Sequence, residues 1–596
     1  MAYKPYIPNY TALSYTGGSE YSEFSTGYKM FPSAIGAPTK IDTANQIADV
    51  SARLNEGMRT VEVGALSPEV FETIPKQQFK EIRQLAKLTG SEMTVHAPIV
   101  DPAGFSREGW SESQREEAER QLIGAVMKSS ELGDKNVNVT IHASGIPAWE
   151  WQKNLPEKEK GKAMMVVVNQ ETGQLNPVRR EERFYPGEIK VWNVQDELDS
   201  LNETEWSTKL VSAEHYKKQA EEILHGARQE LGPILIKERS GEELSDQEKM
   251  QKEVILGRVQ QADRFLQHVN ASLKTDYHIA YKYDKEHRKV LEESAKPFDD
   301  YVKARKRLVE IFNSGKKPGA EDWLRASETA SIASSALLEG LMQANPKLYA
   351  PVEEFFVDHA AKTISNVAFK AYKELGEKAP IIALENFFPE IAFSRADQLR
   401  NLVEHSKKQF ICTVIREKHL DKEEAERIAD KLIGVTWDVG HINLLRKGGY
   451  KEEEIVKETK KIASLVKKVH ITDNFGFNDT HLPPGMGNVP IKKMMEEMEK
   501  KGFSGKSIME AGGFVAQFKV SPHPYVLEAM GSPIYGEAGP SWAGARGASG
   551  GYFSGYGPFL PEQHFSMYGT GFSSLPTELG GQIPGKQSRF AGTPVD

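Results

Sequence analysis

Short apolar runs of strand length alternate with longer stretches whose apolar residues recur every three to four positions. The runs include "MFPSAIGA" from Met30, "RTVEVGAL", "EMTVHAPI" and "NVNVTIHAS". Between them lie amphipathic patterns such as "TANQIADVSARLNEG", "PKQQFKEIRQLAKLTG" and "SQREEAERQLIGAVMKSSELG". A strand–helix rhythm of this kind predicts parallel strands joined by right-handed crossovers. The rhythm stops near Gly145 and resumes near Pro351, continuing through "PIIALENFF", "IGVTWDVGH", "VKKVHITDN" and "KSIMEAGG". The eight strands predict an α/β fold, a (β/α)8 TIM barrel in two halves, 30–145 and 351–523. The competing arrangement is an open, doubly wound sheet, which would not gather all strand ends around one centre.

The remaining segments break the rhythm. Residues 146–350 form an insertion after the fourth strand, beginning with a hairpin that turns near Thr172–Gly173 and continuing as charged helices. Such an insertion leaves the C-terminal face of a barrel, so it is expected to serve as a lid, a substrate clamp or an oligomer contact. Residues 1–29, rich in Tyr, Ser and Gly, read as an extended arm. Residues 524–596, rich in glycine and spaced aromatics such as Tyr535, Tyr552, Phe553, Tyr556 and Phe559, cannot build their own core. The tail is expected to lie on the barrel, on a second copy or on a larger assembly.

Composition narrows the setting. The 596 residues are 39% hydrophobic and 27% charged, with a formal net charge of -8, so no global basic field advertises nucleic-acid binding. One cysteine, Cys412, excludes an internal disulfide and a cysteine-based zinc site. The first residues lack an apolar signal core and no run of about 20 apolar residues occurs, so no membrane span and a cytoplasmic location are expected.

Polar residues close the apolar runs. His96 and His142 end the third and fourth strands and Glu385 the fifth. Asp438 and His441 end the sixth, His470 the seventh and Glu510 the eighth, while Asp479 and His481 follow in the loop after the seventh. Each alone is a hydrogen-bonded strand-end residue. Together, imidazoles and carboxylates at the mouth where barrel sites form point to Zn2+ or Mn2+. The remaining histidines, including His215, His225, His268, His278, His287 and His359, fall in helical or linker segments and read as solvated or packed.

These nine residues carry a resemblance to the xylose isomerase-like TIM-barrel superfamily, and within it to the endonuclease IV branch, AP endonuclease family 2. The resemblance spans about 30–145 and 351–515 and implies two or three zinc ions. One would take His96, His142 and Glu385; Glu385 would bridge to a second with Asp438, His470 and Glu510; a third would take His441, Asp479 and His481. On that basis the chain is expected to be a metal-dependent phosphodiester hydrolase, acting on substrates such as abasic DNA, with Glu385 holding the nucleophile. Two positions differ from the nuclease pattern: Ile99 stands in "HAPIVD" where an aromatic wedge follows the first histidine, and Gly485-Met486-Gly487 replaces Gly-Glu-Gly. Sugar isomerases and epimerases of the same superfamily resemble the chain in Glu385, Asp438, His470 and Glu510 and share a loop like "DTHLPPGMG". The alternative is therefore a sugar or sugar-phosphate isomerase with Glu385 and Glu510 as acid and base. A third is an assembly component that keeps the metal site.

Overall fold

The computed structural model describes residues 26–530 except 29, 31–33, 56–57, 107–108, 134–135, 513, 516–521, 523–525 and 527–528. Most of both terminal arms therefore lies outside the described residues, including the tail aromatics from Tyr535 on.

Eight parallel strands close into a barrel: β1 (Ile35–Pro38), β2 (Thr60–Gly64), β3 (Glu92–His96), β4 (Asn138–His142), β5 (Ile381–Glu385), β6 (Ile433–Asp438), β7 (Val466–Ile471) and β8 (Ser507–Met509). Each pairs with its sequence neighbours, and β8 returns to β1 through Ile35↔Ser507 and Gly36↔Ile508. The expected (β/α)8 barrel is thus present, and the open sheet is excluded by this closure. The first strand begins at Ile35 rather than at Met30. Strands buried on both faces suit the barrel wall: every residue of β2 and of β6 is buried.

The helices are built as their sequences dictate. Lys76–Thr89, between β2 and β3, turns Phe79, Ile82 and Ala86 inward at three- and four-residue spacing. It stops at Gly90, whose φ of 65° is the left-handed conformation glycine adopts without a steric penalty. The helix Lys422–Leu432 starts on Asp421, whose side chain accepts from Glu424 N, and feeds directly into β6.

The chain divides into two compact units, one made of residues up to 168, 172–177 and from 351 on, the other of 169–171 and 178–350. The barrel unit includes the antiparallel strands Trp149–Trp151 and Lys162–Asn169, up to residue 168, and the turn around Gly173, whose φ is 72°. The second unit is mainly helical. Val194–Ser240 begins in a capping box between Asn193 and Asp196, and Asp246–Tyr283 in one between Ser245 and Glu248. Ala220, Leu224, Ala227 and Leu231 of the first helix share a core with Ile255, Val259, Ala262 and Leu266 of the second and Ala330 and Ala333 of Ala320–Gln343. Among the described residues, no helix is long and apolar enough to cross a membrane.

Candidate metal centre at the barrel mouth

Parallel pairing sends every strand end to the same mouth. His96, His142, Glu385 and Asp438 are the last residues of β3, β4, β5 and β6; His470 is one short of the end of β7, and Glu510 directly follows β8. Register makes neighbours of Glu385 and His142, and of Asp438 and His470. Two glycines leave room for this. A β-carbon on Gly64 would lie 2.9 Å from the Cβ and carbonyl oxygen of His96, and one on Gly440 would lie 1.7 Å from Thr472 Oγ1.

Glu385 stands at the centre. Its Oε2 is 3.1 Å from His96 Nε2 and 3.2 Å from His142 Nε2, and its Oε1 is 2.5 Å from His470 Nδ1. Glu510 Oε1 lies 3.0 Å from the same His470 nitrogen. A second focus joins His441, Asp479 and His481: Asp479 Oδ2 is 3.6 Å from His441 Nε2 and 2.5 Å from His481 Nε2. His481 Nδ1 reaches back to Glu510 Oε2 at 3.8 Å, which links the two foci. All nine residues singled out in the sequence are therefore brought to one mouth. Three sets, His96–Glu385–His470–Glu510, His441–Asp479–His481 and Glu385–Asp438–His441, each offer ligand atoms within 4.8 Å of one another.

The supporting contacts decide which nitrogen each imidazole presents. Nδ1 of His96 donates to the Ala97 carbonyl at 2.8 Å, and Nδ1 of His441 donates to the Asn386 carbonyl at 2.9 Å, so both turn Nε2 toward the carboxylates. Asn386 also fixes Asp438, accepting from its N–H at 2.8 Å and donating to its carbonyl at 3.0 Å. Asp438 Oδ1 accepts from Gly440 N, His441 N and Thr472 Oγ1, which caps the short helix Val439–Asn443 and leaves Oδ2 facing the mouth. His481 adopts a φ of 45°, unusual for a side chain of its size and a form of stored strain. Its loop is pinned by Asp473, which accepts from the N–H groups of Asn474, Gly485 and Val489, and by the paired backbones of Asp473 and Leu482.

Charge is divided unevenly. Burial raises the cost of ionising Glu385, but His470, His142 and His96 outweigh it and hold the carboxyl well below its usual range. Burial opposes the charged form of His441, yet Asp438 and Asp479 push it up to about 10. Burial lowers His142, whereas His470 is driven well above its ordinary value by Glu385, Glu510 and Glu62 against the same penalty. Asp438 is raised, chiefly by burial.

Whether a metal suits these residues can be tested on atoms the protein leaves unsatisfied. Asp438 Oδ2, Asp479 Oδ1 and His470 Nδ1 are buried without an aligned hydrogen-bond partner; Asp438 Oδ2 lies 3.7 Å from His441 Nδ1, and His470 Nδ1 lies 2.5 Å from Glu385 Oε1. Burying such groups unpaired is costly, and a divalent ion would neutralise the carboxylates and occupy the lone pairs. The nitrogen and oxygen donors suit Zn2+ or Mn2+, so the residues fit.

Besides Asn386, three features escaped the sequence reading. Glu62, in the middle of β2, is buried beneath the mouth with Oε2 3.0 Å from His470 Nε2, a close ionic contact that is not aligned as a hydrogen bond. Lys468, two residues before His470, is ion-paired to Glu62 Oε1 inside the barrel. Phe387 and Phe388, after β5, stack at 4.0 Å, and both rings stand 5.4 Å from His441. The only available signal for the first two was a charged residue inside each apolar run.

The model of the xylose isomerase-like TIM barrel family matches residues 370–527. The resemblance to that superfamily is borne out over this stretch, which contains seven of the nine residues; His96 and His142 precede it. An uncharacterised protein of Methanocaldococcus jannaschii is 31% identical over 83 residues, which is 14% of this chain and 27% of the relative. The fructoselysine 3-epimerase of Shigella flexneri is 28% identical over 78 residues, 13% of this chain and 27% of the enzyme. The chain thus spans about a quarter of the length of these curated relatives. Among solved structures, a D-tagatose 3-epimerase-like protein aligns over 80% of this chain and 89% of its own, at 12% identity and a TM-score of 0.34. The 3-keto-D-glucoside 4-epimerase of E. coli aligns over 80% and 90%, at 9% identity and a TM-score of 0.31.

Proposed function

We propose that the chain is a metal-dependent isomerase or epimerase acting on a small sugar or sugar phosphate. The observation that carries this reading is the pair of carboxylates, Glu385 and Glu510, that converge on one His470 nitrogen at 2.5 and 3.0 Å. Two carboxylates on either side of a bound carbon can exchange a proton with it, one removing and the other returning it. Glu385, with a side chain 1% exposed, is the enclosed partner; Glu510, at 16%, is the open one. His470, His142 and His96 keep Glu385 ionised, and His96 and His142 aim its Oε2, so that it starts as the base. Glu385, Asp438, His470 and Glu510 would hold the ion, which when bound polarises the substrate's carbonyl and hydroxyl oxygens. The match to a fructoselysine 3-epimerase supports this order over the hydrolase that the full ligand set put first.

The hydrolase remains a second reading because of one observation: His441, Asp479 and His481 form a further group beyond the four residues an isomerase needs. Replacing His481 with Ala separates the two. Under the isomerase reading, a panel of ketose and aldose phosphates with added Zn2+ or Mn2+ is interconverted, and His481→Ala retains that activity in large part. Under the hydrolase reading, an abasic duplex or a bis-aryl phosphodiester is cut, and His481→Ala loses one metal equivalent and orders of magnitude in rate, each ~1.4 kcal/mol being tenfold. A zinc- or manganese-loaded wild type that cleaves a phosphodiester and interconverts no sugar would overturn the isomerase.

A further inference from the structure

His470 differs from the other oriented imidazoles of the mouth. His96 and His441 donate from Nδ1 to backbone carbonyls and present Nε2. His470 turns Nδ1 to Glu385 and Glu510 and Nε2 to Glu62 Oε2 at 3.0 Å; once a cation takes the Nδ1 lone pair, the ring's one proton is left on Nε2, facing Glu62. Glu62 is itself oriented. Lys468 Nζ takes its Oε1 and also donates to Thr140 Oγ1 at 3.2 Å, and Thr140 contacts Thr436 Oγ1 at 3.0 Å. A Lys–Glu pair sealed inside a barrel is a poor source of stability, because two desolvated charges repay their burial only with good geometry. Its position directly behind a metal-facing histidine gives it another use.

We propose that Glu62 is a positioning residue: it keeps the His470 proton on Nε2 so that the Nδ1 lone pair is available to a divalent cation at the Glu385–Glu510 pair. Lys468 decides which Glu62 oxygen faces the ring. The proposal rests on reading the mouth as a metal site and is indifferent to which reaction that site performs. A carboxylate behind a ligating imidazole raises its basicity and fixes its orientation, and losing such a partner typically costs about 10–100-fold in metal affinity.

The test exploits the asymmetry of an amide. In Glu62→Gln the ammonium of Lys468 should draw the amide oxygen, leaving the NH2 group against His470 Nε2. That nitrogen must then accept, the proton moves to Nδ1, and the lone pair is lost. Zinc binding to the full-length protein, stripped and titrated against a chromophoric chelator, should weaken by about 10–100-fold for one equivalent. In Glu62→Gln with Lys468→Met the amide is free to turn its oxygen to His470, and zinc affinity should recover most of the loss. A role in packing alone predicts the opposite order: the isosteric single variant would bind as wild type and the double variant no better. Equal zinc affinity in wild type and Glu62→Gln overturns the proposal while leaving the metal site intact. A wild type that takes up no zinc or manganese defeats the metal reading itself, and the proposal with it. A measurement that needs no variant of Glu62 is the 15N spectrum of histidine-labelled, zinc-loaded wild type, with His470 assigned by His470→Asn. A proton on Nε2 is expected, and one on Nδ1 refutes the mechanism.

Discussion

Asp438 divides its work between two oxygens, so two substitutions should separate folding from metal binding. Oδ1 accepts from Gly440 N at 2.7 Å, His441 N at 2.8 Å and Thr472 Oγ1 at 3.1 Å. Oδ2 is buried with no hydrogen-bond partner. In Asp438→Asn the three donors should select the amide oxygen for the Oδ1 position and place the NH2 where Oδ2 faced the mouth. The cap survives, and a carboxylate that burial already disfavours is removed, so the stripped protein should stay within about 1–2 kcal/mol of wild type. Asp438→Ala removes the cap, worth about 0.5–2 kcal/mol. It also leaves three donors at buried residues without an acceptor, at about 1–3 kcal/mol each. These terms overlap, and a total near 3–6 kcal/mol is expected. With a urea dependence of about 1–3 kcal/mol per molar, the alanine variant should unfold at least 1 M earlier in the barrel transition. Trp437, fully buried next to Asp438 with its indole donating to Thr459 at 2.9 Å, gives a fluorescence change that reports on that unit. Elemental analysis should show that both variants lose the metal held with Glu385, His470 and Glu510. The reasoning fails if Asp438→Asn binds zinc as tightly as wild type, or if it costs as much stability as alanine.

Two further predictions concern the barrel unit. Glu353 accepts from Trp149 Nε1 at 2.8 Å and Phe393 N at 3.1 Å, and burial pushes it up to about 7 from the ordinary 4.5. The native state therefore holds a proton that the unfolded chain has released, so this group's contribution is complete below about pH 4.5 and is lost as pH rises to about 7. The loss is at most about 3 kcal/mol, and less because Glu353 is not wholly covered. Urea midpoints at pH 5 and pH 8 should differ less in Glu353→Gln than in wild type, and an unchanged difference would discard the assignment. Gly440→Ala places a methyl 1.7 Å from Thr472 Oγ1, which must leave Asp438. A loss of about 1–3 kcal/mol is expected together with weaker zinc binding, and a variant with wild-type stability would contradict the packing described.

The barrel was legible because its strands obey a simple rule: apolar runs terminate in the residues that meet at the mouth. His96, His142, Glu385 and Asp438 end their strands, so finding the run finds the residue. Glu62 and Lys468 obey the opposite rule. They sit within β2 and β7, and their partnership spans 406 positions of sequence. In strands this short and buried on both faces, alternation does not say which side points into the barrel, and a lone charge reads as solvent-facing. Asn386 was hidden for another reason: its role is to clamp the backbone and side chain of neighbouring elements, and no side-chain pattern announces that. The onset of β1 was misjudged because "MFPSAIGA" is apolar from Met30, whereas pairing with β2 begins only at Gly36.

The helical unit also changes the entropic cost of closing the barrel. Strands β4 and β5 pair residue for residue, from Asn138↔Ile381 to His142↔Glu385, although 143–380 come between them. For a disordered chain, closing so long a loop is an entropic toll that grows with the logarithm of its length, and contacts so distant in sequence slow folding. Inside the helical unit, however, Gln170 N donates to the Leu348 carbonyl at 2.9 Å, so the unit's entry and exit are adjacent once it is formed. A pre-formed helical unit turns a closure of more than two hundred residues into one of a few tens. Early folding of the helical unit, which holds none of the nine residues, would bring those of the candidate metal centre on β3 and β4 closer to those on β5 to β8.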